Sequence, residues 1–450
     1  MSKEKTPLAH GVEVYIEKKM SRLHMPGHKG AKLTGMGKLT EWDVTEIEET
    51  DSLYEASGII RCTEDSYSRL YGTVATLLSA GGSTLCIQTM LALAARPNGK
   101  IIAGRNIHSA AVNAMALLGL EPVWVYPRKS EDEPFIGRIH PDDIKTALMQ
   151  HPDAAAVYIT SPDYFGVISD IAAISKLCRS CDVPLLVDNA HGAHLRFLDT
   201  PVPLHPIQLG ADMCCDSLHK TMPVITGGAL LHIGSSRFAS RSRAKNCMSM
   251  FGSTSPSYLI MLSADRCLTQ IKEDLPKRMN DTVKEVQKLR ELALQKGFAV
   301  PDMPCDPMRL TLGLSTVGIT AKEFDRHLKS HKIQAEFISD SGCVLLFSPY
   351  NSEEDINRVR KAILTAPVTP AKAVSYPILS PKSRMSLRQA VLSESVEIPA
   401  DEAAGRIAAK IQAPCPPGIP LIMPGEEITA EDIPILKNYG ITTLQVVVNS

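Results

Sequence analysis

Short apolar runs alternate with amphipathic stretches through the middle of the chain. Lys100–Ala103 reads as a strand, Ser109–Leu118 as a helix and Pro122–Val125 as a strand. Pro141–Met149 reads as a helix entered through a proline at its first turn, where a missing N–H costs nothing. Ala154–Thr160 is a strand that stops at Ser161–Pro162, Asp170–Ser180 a helix, and Pro184–Val187 an apolar run of the kind found in buried parallel strands. Ahead of these, Ser66–Leu78 reads as an amphipathic helix, and Leu85–Ala95 as another behind Ala-Gly-Gly-Ser-Thr. Met213–Cys215 and Ala229–Ile233 read as two more strands joined by a tight loop. This alternation predicts the α/β class, with a mostly parallel sheet covered by helices on both faces.

Beyond Gly234 the pattern changes. Ser257–Lys272 and Asp281–Lys296 are helical stretches, the second strongly charged. Arg309–Leu314, Ala321–Lys329, Gly342–Phe347 and Asp355–Leu364 read as strand, helix, strand, helix, which is a small α/β domain. Ala366–Tyr376 is a proline-bearing linker, and the prolines of Ala413–Glu426 exclude helix there and suggest an extended segment. The expected division is an irregular N-terminal segment over 1–60, a large domain over 61–280, a small α/β domain over 281–370 and a C-terminal unit over 371–450.

A length of 450 residues allows two or three domains, and a net charge of −1 gives no electrostatic case for nucleic acid or an anionic membrane. No apolar run approaches the ~20 residues of a membrane span. The charged first twenty residues contain no apolar secretory core. Eleven scattered cysteines, an odd number, suggest reduced thiols and a cytoplasmic protein. Cys178 and Cys181 form a Cys-x-x-Cys pair with no second pair to complete a zinc site, so they read as structural and no metal is expected.

The candidate chemistry centres on Lys220, flanked by Ser217, His219 and Thr221 between the two strands. A lysine held in such a loop can be desolvated, which lowers its pKa and frees the amine to attack a carbonyl. Thirty-two residues earlier, Asp188 stands at the carboxyl end of a predicted strand, where open α/β sheets place their ligands. A lysine and an acid on neighbouring strand ends suit pyridoxal 5'-phosphate: the lysine forms the Schiff base and the acid keeps the pyridine nitrogen protonated. Gly81-Gly82-Ser83-Thr84 before a helix has the shape of a phosphate cradle, and also of an ordinary N-cap. His108, where a strand end meets a helix start, suits a ring-stacking role or a helix cap. His24–Gly30 (HMPGHKG) reads as a loop that binds an anion or is solvated, and the acidic Trp42–Gly58 as a cation-binding wall or a solvated loop.

Taken in order, these motifs resemble the Orn/Lys/Arg decarboxylases, pyridoxal-phosphate enzymes of the aspartate-aminotransferase fold (fold type I). The resemblance rests on HMPGHKG, DVTEIEETDSLYEASGII, SPDYFGV, VDNAHGAH, DSLHKTMPVITGGALLH and AAGRIAAKIQAPCPPGIPLIMPGE. It implies a large cofactor domain, a smaller α/β domain and a C-terminal α+β domain, in the shorter form of the family. It implies that Lys220 bonds the cofactor, Asp188 pairs with the pyridinium nitrogen and His108 stacks on the ring. His191 would lie near the cofactor's 3-hydroxyl or the substrate carboxylate. Ser83, Thr84, Ser217 and His219 would hold the phosphate, and Thr254 and Ser255 would reach a neighbouring subunit's site. That in turn implies a homodimer or higher homo-oligomer with interface active sites. The implied reaction is decarboxylation of arginine, lysine or ornithine to an amine, in polyamine chemistry, with arginine the first substrate to test. An aminotransferase or carbon–sulfur lyase of the same fold is the alternative, and a cofactor carrier with little turnover a further one. Glu46, Asp51, Glu64, Asp65 and Glu402 are candidates to meet the substrate's distal cation. Leu85–Cys86 and Asp163 depart from the family pattern.

Overall fold

The computed structural model of the chain describes residues 6–448 except 20, 23–24, 27–28, 30, 32–36, 129–134, 136, 303, 372–378 and 414–419. Its first elements are α1 (Pro7–Glu17), α2 (Leu39–Trp42), α3 (Ile59–Tyr71), β1 (Ala75–Ser79) and α4 (Gly82–Ala94). Then come β2 (Lys100–Gly104), α5 (Ser109–Leu118), β3 (Glu121–Val125), α6 (Pro141–Gln150), β4 (Ala156–Thr160), α7 (Ile171–Ser180) and β5 (Leu185–Asp188). The next stretch holds β6 (Met213–Asp216), α8 (Leu218–Thr221), β7 (Ala229–Ile233), α9 (Arg241–Ser249), α10 (Tyr258–Glu273) and α11 (Leu275–Gln295). The remainder is β8 (Arg309–Gly313), α12 (Ala321–Ser330), β9 (Phe337–Ile338), β10 (Gly342–Leu346), α13 (Glu353–Thr365), α14 (Leu387–Leu392), β11 (Ser395–Pro399), α15 (Asp432–Asn438) and β12 (Thr443–Val447).

The chain forms two compact units, one of residues 1–94 and 184–279, the other of 95–183 and 280–450. In the first unit β6 pairs parallel with β5 and antiparallel with β7, and β7 pairs antiparallel with β1. β5 and β6 are buried along their whole length, which explains their unbroken apolar character up to the terminal aspartates. In the second unit β2 lies between β3 and β4, parallel to both. A separate antiparallel sheet there runs β8-β10-β9, and α11, α12 and α13 bury Val286, Leu289, Phe324, Val359 and Ile363 in the core around it. Each such side chain contributes about 1.5–3 kcal/mol on burial. β11 and β12 pair antiparallel over a further small core that includes Ile422, Leu436 and Val446.

Local chemistry sets the helix ends. Asp170 accepts the N–H of Ala173 ahead of α7, while Thr320, Ser352 and Ser386 close capping boxes with Glu323, Asp355 and Gln389.

Three expectations need correction. The helix read over Ser66–Leu78 is two elements: α3 ends at Tyr71 because Gly72 adopts the left-handed conformation (φ +70°), and the apolar residues beyond it form β1. The first sixty residues are not irregular throughout: α1 starts with Pro7 in its first turn and buries Leu8, Ala9, Val12 and Tyr15 on one face. Lys220 sits not in an open loop but on the single turn of α8. His24, Gly27, His28 and Gly30 lie outside the described residues, as do 414–419 of the proline-rich tail segment. No helix among the described residues is long and apolar enough to cross a membrane, and no disulfide joins the described cysteines.

Candidate active site

In the first unit, the carboxyl ends of β5 and β6 set the geometry. Asp188 closes β5 opposite Cys215 of β6 and is 2% exposed. Its Oδ1 accepts the backbone N–H of Ala190 at 3.1 Å and the thiol of Cys215 at 3.6 Å. β6 runs straight into Ser217 and then the turn of α8, which is closed by the Met222 N–H on the Leu218 carbonyl at 2.7 Å. That turn presents Lys220, whose Nζ lies 2.8 Å from Nε2 of the buried His191.

Ser217 Oγ donates to Ser83 Oγ at 2.8 Å. Ser83 stands in the first turn of α4, directly after Gly82, which takes the left-handed conformation at φ +67° that favours glycine. Ser79 Oγ donates to the Gly82 carbonyl, and the Gly82 N–H donates to the Gly227 carbonyl, so this loop is held from both sides. Thr84, next in line, is exposed. His219 Nδ1 donates to the Gly228 carbonyl at 3.1 Å, which leaves Nε2 as the second ring position. Burial pushes the His219 imidazole down, and the Lys220 charge adds to that against the Gly228 hydrogen bond.

The other expected residues are placed as follows. His108 is exposed in the second unit and caps α5, its Nδ1 accepting the Ala110 N–H at 3.1 Å. Thr254 and Ser255 lie in the exposed loop between α9 and α10. Cys86 is a core residue: its thiol donates to the Gly82 carbonyl, and burial pushes it up to about 12. Asp163 is buried in the second unit. Its Oδ1 accepts the Val167 N–H at 2.8 Å, while its Oδ2 is buried with no hydrogen-bond partner. Burial pushes its carboxyl up to about 7 against the Val167 hydrogen bond and the Arg309 charge.

Four of the five acids considered for a substrate cation are already engaged. Asp51 accepts five backbone N–H groups, from Ser52, Ser57, Gly58, Ile60 and Arg61, and so anchors the start of α3. Glu46 accepts from Ser52 Oγ and the Leu53 N–H. Glu64 is fully buried and binds Lys245, Arg241 and the Leu78 N–H, while Asp65 binds Arg61 and Arg241. Glu402 is exposed. Sequence reasoning missed two clusters. Asp216, the last residue of β6, is wholly buried against His205 and His232. Arg105 and Glu426 form a buried ion pair in the second unit. A polar residue ending an otherwise apolar strand was the available signal for the first.

The donor set suits pyridoxal phosphate. Hydroxyls of Ser83 and Ser217 at a thirteen-residue helix's N-terminus could hold a phosphate, Lys220 offers an amine and Asp188 a buried carboxylate. Asn189 Oδ1 and Thr221 Oγ1, beside Asp188 and Lys220, are buried without hydrogen-bond partners.

Residues 6–300 match the family model described as Orn/Lys/Arg decarboxylase, major domain, and residues 371–443 match that of its C-terminal domain. The chain is 31% identical to the arginine decarboxylase of Bacillus subtilis (strain 168), over 97% of this chain and 94% of the relative. It is 29% identical to the arginine decarboxylase of Halalkalibacterium halodurans, over 96% and 93%. Among solved structures, the Francisella novicida lysine decarboxylase LdcF shares the fold with a TM-score of 0.82 at 16% identity, covering 98% of this chain and 81% of that one. A major-domain match over most of its length, a C-terminal match in the right order and a 31% identical full-length relative establish that this chain belongs to the Orn/Lys/Arg decarboxylase family.

Proposed function

We propose that this chain removes the α-carboxylate of a basic amino acid, with arginine as the first substrate, using pyridoxal phosphate bonded to Lys220. The observation that carries the reading is the 2.8 Å contact between Lys220 Nζ and His191 Nε2, one strand away from the buried Asp188. When bound, pyridoxal phosphate supplies the electron sink that takes up the charge left at Cα as carbon dioxide departs.

The chain's own groups do the rest. Lys220 provides the amine that holds the cofactor and, once released, a proton carrier beside Cα. His191 holds that amine in place and can exchange a proton with it. Asp188 offers a buried carboxyl at the strand end, where it would pair with the ring nitrogen. Ser83 and Ser217 would hold the phosphate, the Ser217 hydroxyl giving up its bond to Ser83 to do so, with Thr84 and His219 beside them. A dianionic phosphate would oppose the downward pull of burial on His219. His108 enters as a ring-facing residue through the family resemblance alone.

Arginine is favoured because the relatives at 31% and 29% identity are arginine decarboxylases. Because Glu46, Asp51, Glu64 and Asp65 are engaged internally, Glu402 is the remaining candidate of the five for the distal guanidinium. We assign the product amine to polyamine chemistry, the protein to the cytoplasm, and the assembly to a homodimer or larger homo-oligomer in which Thr254 and Ser255 approach the neighbouring copy's site. We keep the division at 1–60, 61–280, 281–370 and 371–450 as its domain plan.

The test is the visible spectrum of the purified protein with pyridoxal phosphate, then carbon dioxide release with arginine, lysine and ornithine singly. A visible band that Lys220→Ala abolishes, with carbon dioxide from arginine, is the expected result. A keto acid in place of carbon dioxide would overturn the reaction, and lysine as the preferred substrate would overturn the specificity.

A further inference from the structure

Successive side chains of a strand point to opposite faces of its sheet. In β6, Cys215 turns toward Asp188, while Cys214 and Asp216 face the other way, where their side chains lie 4.0 Å apart. On that second face Asp216 is 0% exposed and, besides the Cys214 thiol, meets three N–H donors. Asn189 Nδ2 donates to Oδ1 at 2.6 Å, and His205 Nε2 and His232 Nε2 each stand 3.1 Å from Oδ2.

The outer ring nitrogens fix the tautomers. The Ile207 N–H donates to His205 Nδ1 at 3.3 Å, so that nitrogen carries the lone pair and Nε2 the proton. His232 Nδ1 lies 2.9 Å from the Thr76 hydroxyl, which can donate to it. The Tyr71 ring packs against both imidazoles. Burial pushes His232 down. Burial would push Asp216 up, but the two imidazoles outweigh it and hold the carboxyl well below the usual range. The cluster is therefore a carboxylate gripped by three N–H donors.

His205, Cys214, Asp216 and His232 also make up a ligand set that zinc accepts. The Ile207 N–H weighs against a cation. A metal on His205 Nε2 would move the ring proton to Nδ1 and set two N–H groups against each other.

The grip falls on the strand ends that carry the chemistry. Asn189 directly follows Asp188, and its own N–H donates to the Cys215 carbonyl at 3.0 Å. Asp216 directly precedes Ser217, which binds Ser83, and stands one helical turn before Lys220. We propose that Asp216, His205 and His232 are positioning residues. From the face opposite Asp188 they lock Asn189 and Ser217, and through them hold Asp188 and the Lys220 turn at the spacing pyridoxal phosphate requires. This rests on the cofactor reading above.

The test compares His205→Gln, which keeps an N–H donor for Asp216, with His205→Ala, which removes it. For each full-length protein the dissociation constant for pyridoxal phosphate, kcat and KM, and the apo melting temperature are measured. His205→Ala should weaken cofactor binding by about ten-fold or more and lower kcat with KM little changed, while His205→Gln stays within about three-fold of the parent. Should His205→Ala not fold, Asn189→Ala carries the same prediction for cofactor affinity. Equal behaviour of Gln and Ala, or a change confined to the melting temperature, overturns the proposal. So does one equivalent of a transition metal found in the purified protein by elemental analysis. A parent protein that binds no pyridoxal phosphate defeats the cofactor reading itself, a separate and recognisable failure.

Discussion

Arg105 and Glu426 meet in a two-pronged ion pair, Nη1 to Oε1 at 2.5 Å and Nη2 to Oε2 at 2.7 Å, with the two side chains 0% and 4% exposed. Arg105 Nε is buried without a hydrogen-bond partner, but the rest of the pair is supported: Glu426 Oε2 also accepts the Met423 N–H, Arg105 Nη2 also donates to the Leu421 carbonyl, and Trp124 and Tyr126 flank the guanidinium. Removing one partner strands a buried charge, at a cost of about 3–5 kcal/mol. Glu426→Ala should therefore lower the melting temperature sharply. Arg105→Met combined with Glu426→Leu should recover much of that loss, because two apolar groups leave no charge behind. Thermal denaturation of the three variants checks both statements.

Lys220→Ala should abolish the visible band of bound pyridoxal phosphate and carbon dioxide release while leaving the apo melting temperature within a few degrees of the parent. Lys220 is only partly buried, so its removal disturbs little packing. Absorbance and calorimetry on the same sample separate a lost reaction from a lost fold.

Asp163 makes stability depend on pH with an unusual sign. Its folded pKa, pushed up to about 7 by burial, exceeds the ordinary aspartate value of 3.8. Between those values the folded state keeps a proton that the unfolded state releases. This contribution is complete below about pH 4 and is lost as pH rises through about 7. Asp163→Asn, which keeps an acceptor for the Val167 N–H, should melt a few degrees higher than the parent at pH 8, and the difference should vanish by about pH 4. Melting curves over that range give the answer, and a constant difference at every pH would refute it.

Asp51→Ala should behave as a folding defect and not as a substrate defect. Its carboxylate satisfies five N–H groups around the start of α3, and loss of a capping acid costs about 0.5–2 kcal/mol, with the extra donors adding to that. The expected outcome is a lower melting temperature with KM for arginine unchanged. A large rise in KM at full stability would return Asp51 to the substrate site.

The α/β class and the family were legible in the chain because their signals are local. Ser109–Leu118 and Ala229–Ile233 stand in the structure with the bounds their apolar patterns predict, and Asp188 falls at the strand end its neighbours suggested, while Lys220 stands on a helical turn where a loop was expected. What was not legible depended on partners distant in sequence. Nothing near Glu64 announces Arg241 and Lys245, and nothing near Asp216 announces His232. The apolar run Val74–Leu78 suits a strand or a helix equally, so its pattern alone does not part β1 from α3; Gly72 between them marks the break. The cap role of His108 was one of two readings open at that position, and its Nδ1 contact to Ala110 realises it.

The two ends of the site differ in how far the chain must travel to build them. Lys220 and His191 are separated by 29 residues, Ser217 and Ser83 by 134. Closing the longer loop costs about 1.4 kcal/mol more in chain entropy. The amine end is therefore expected to assemble ahead of the phosphate end, which must wait for the N-terminal strand and α4 to return to β7. On refolding, recovery of cofactor binding should lag the appearance of helical signal, making the cofactor a reporter of a long-range closure in this unit.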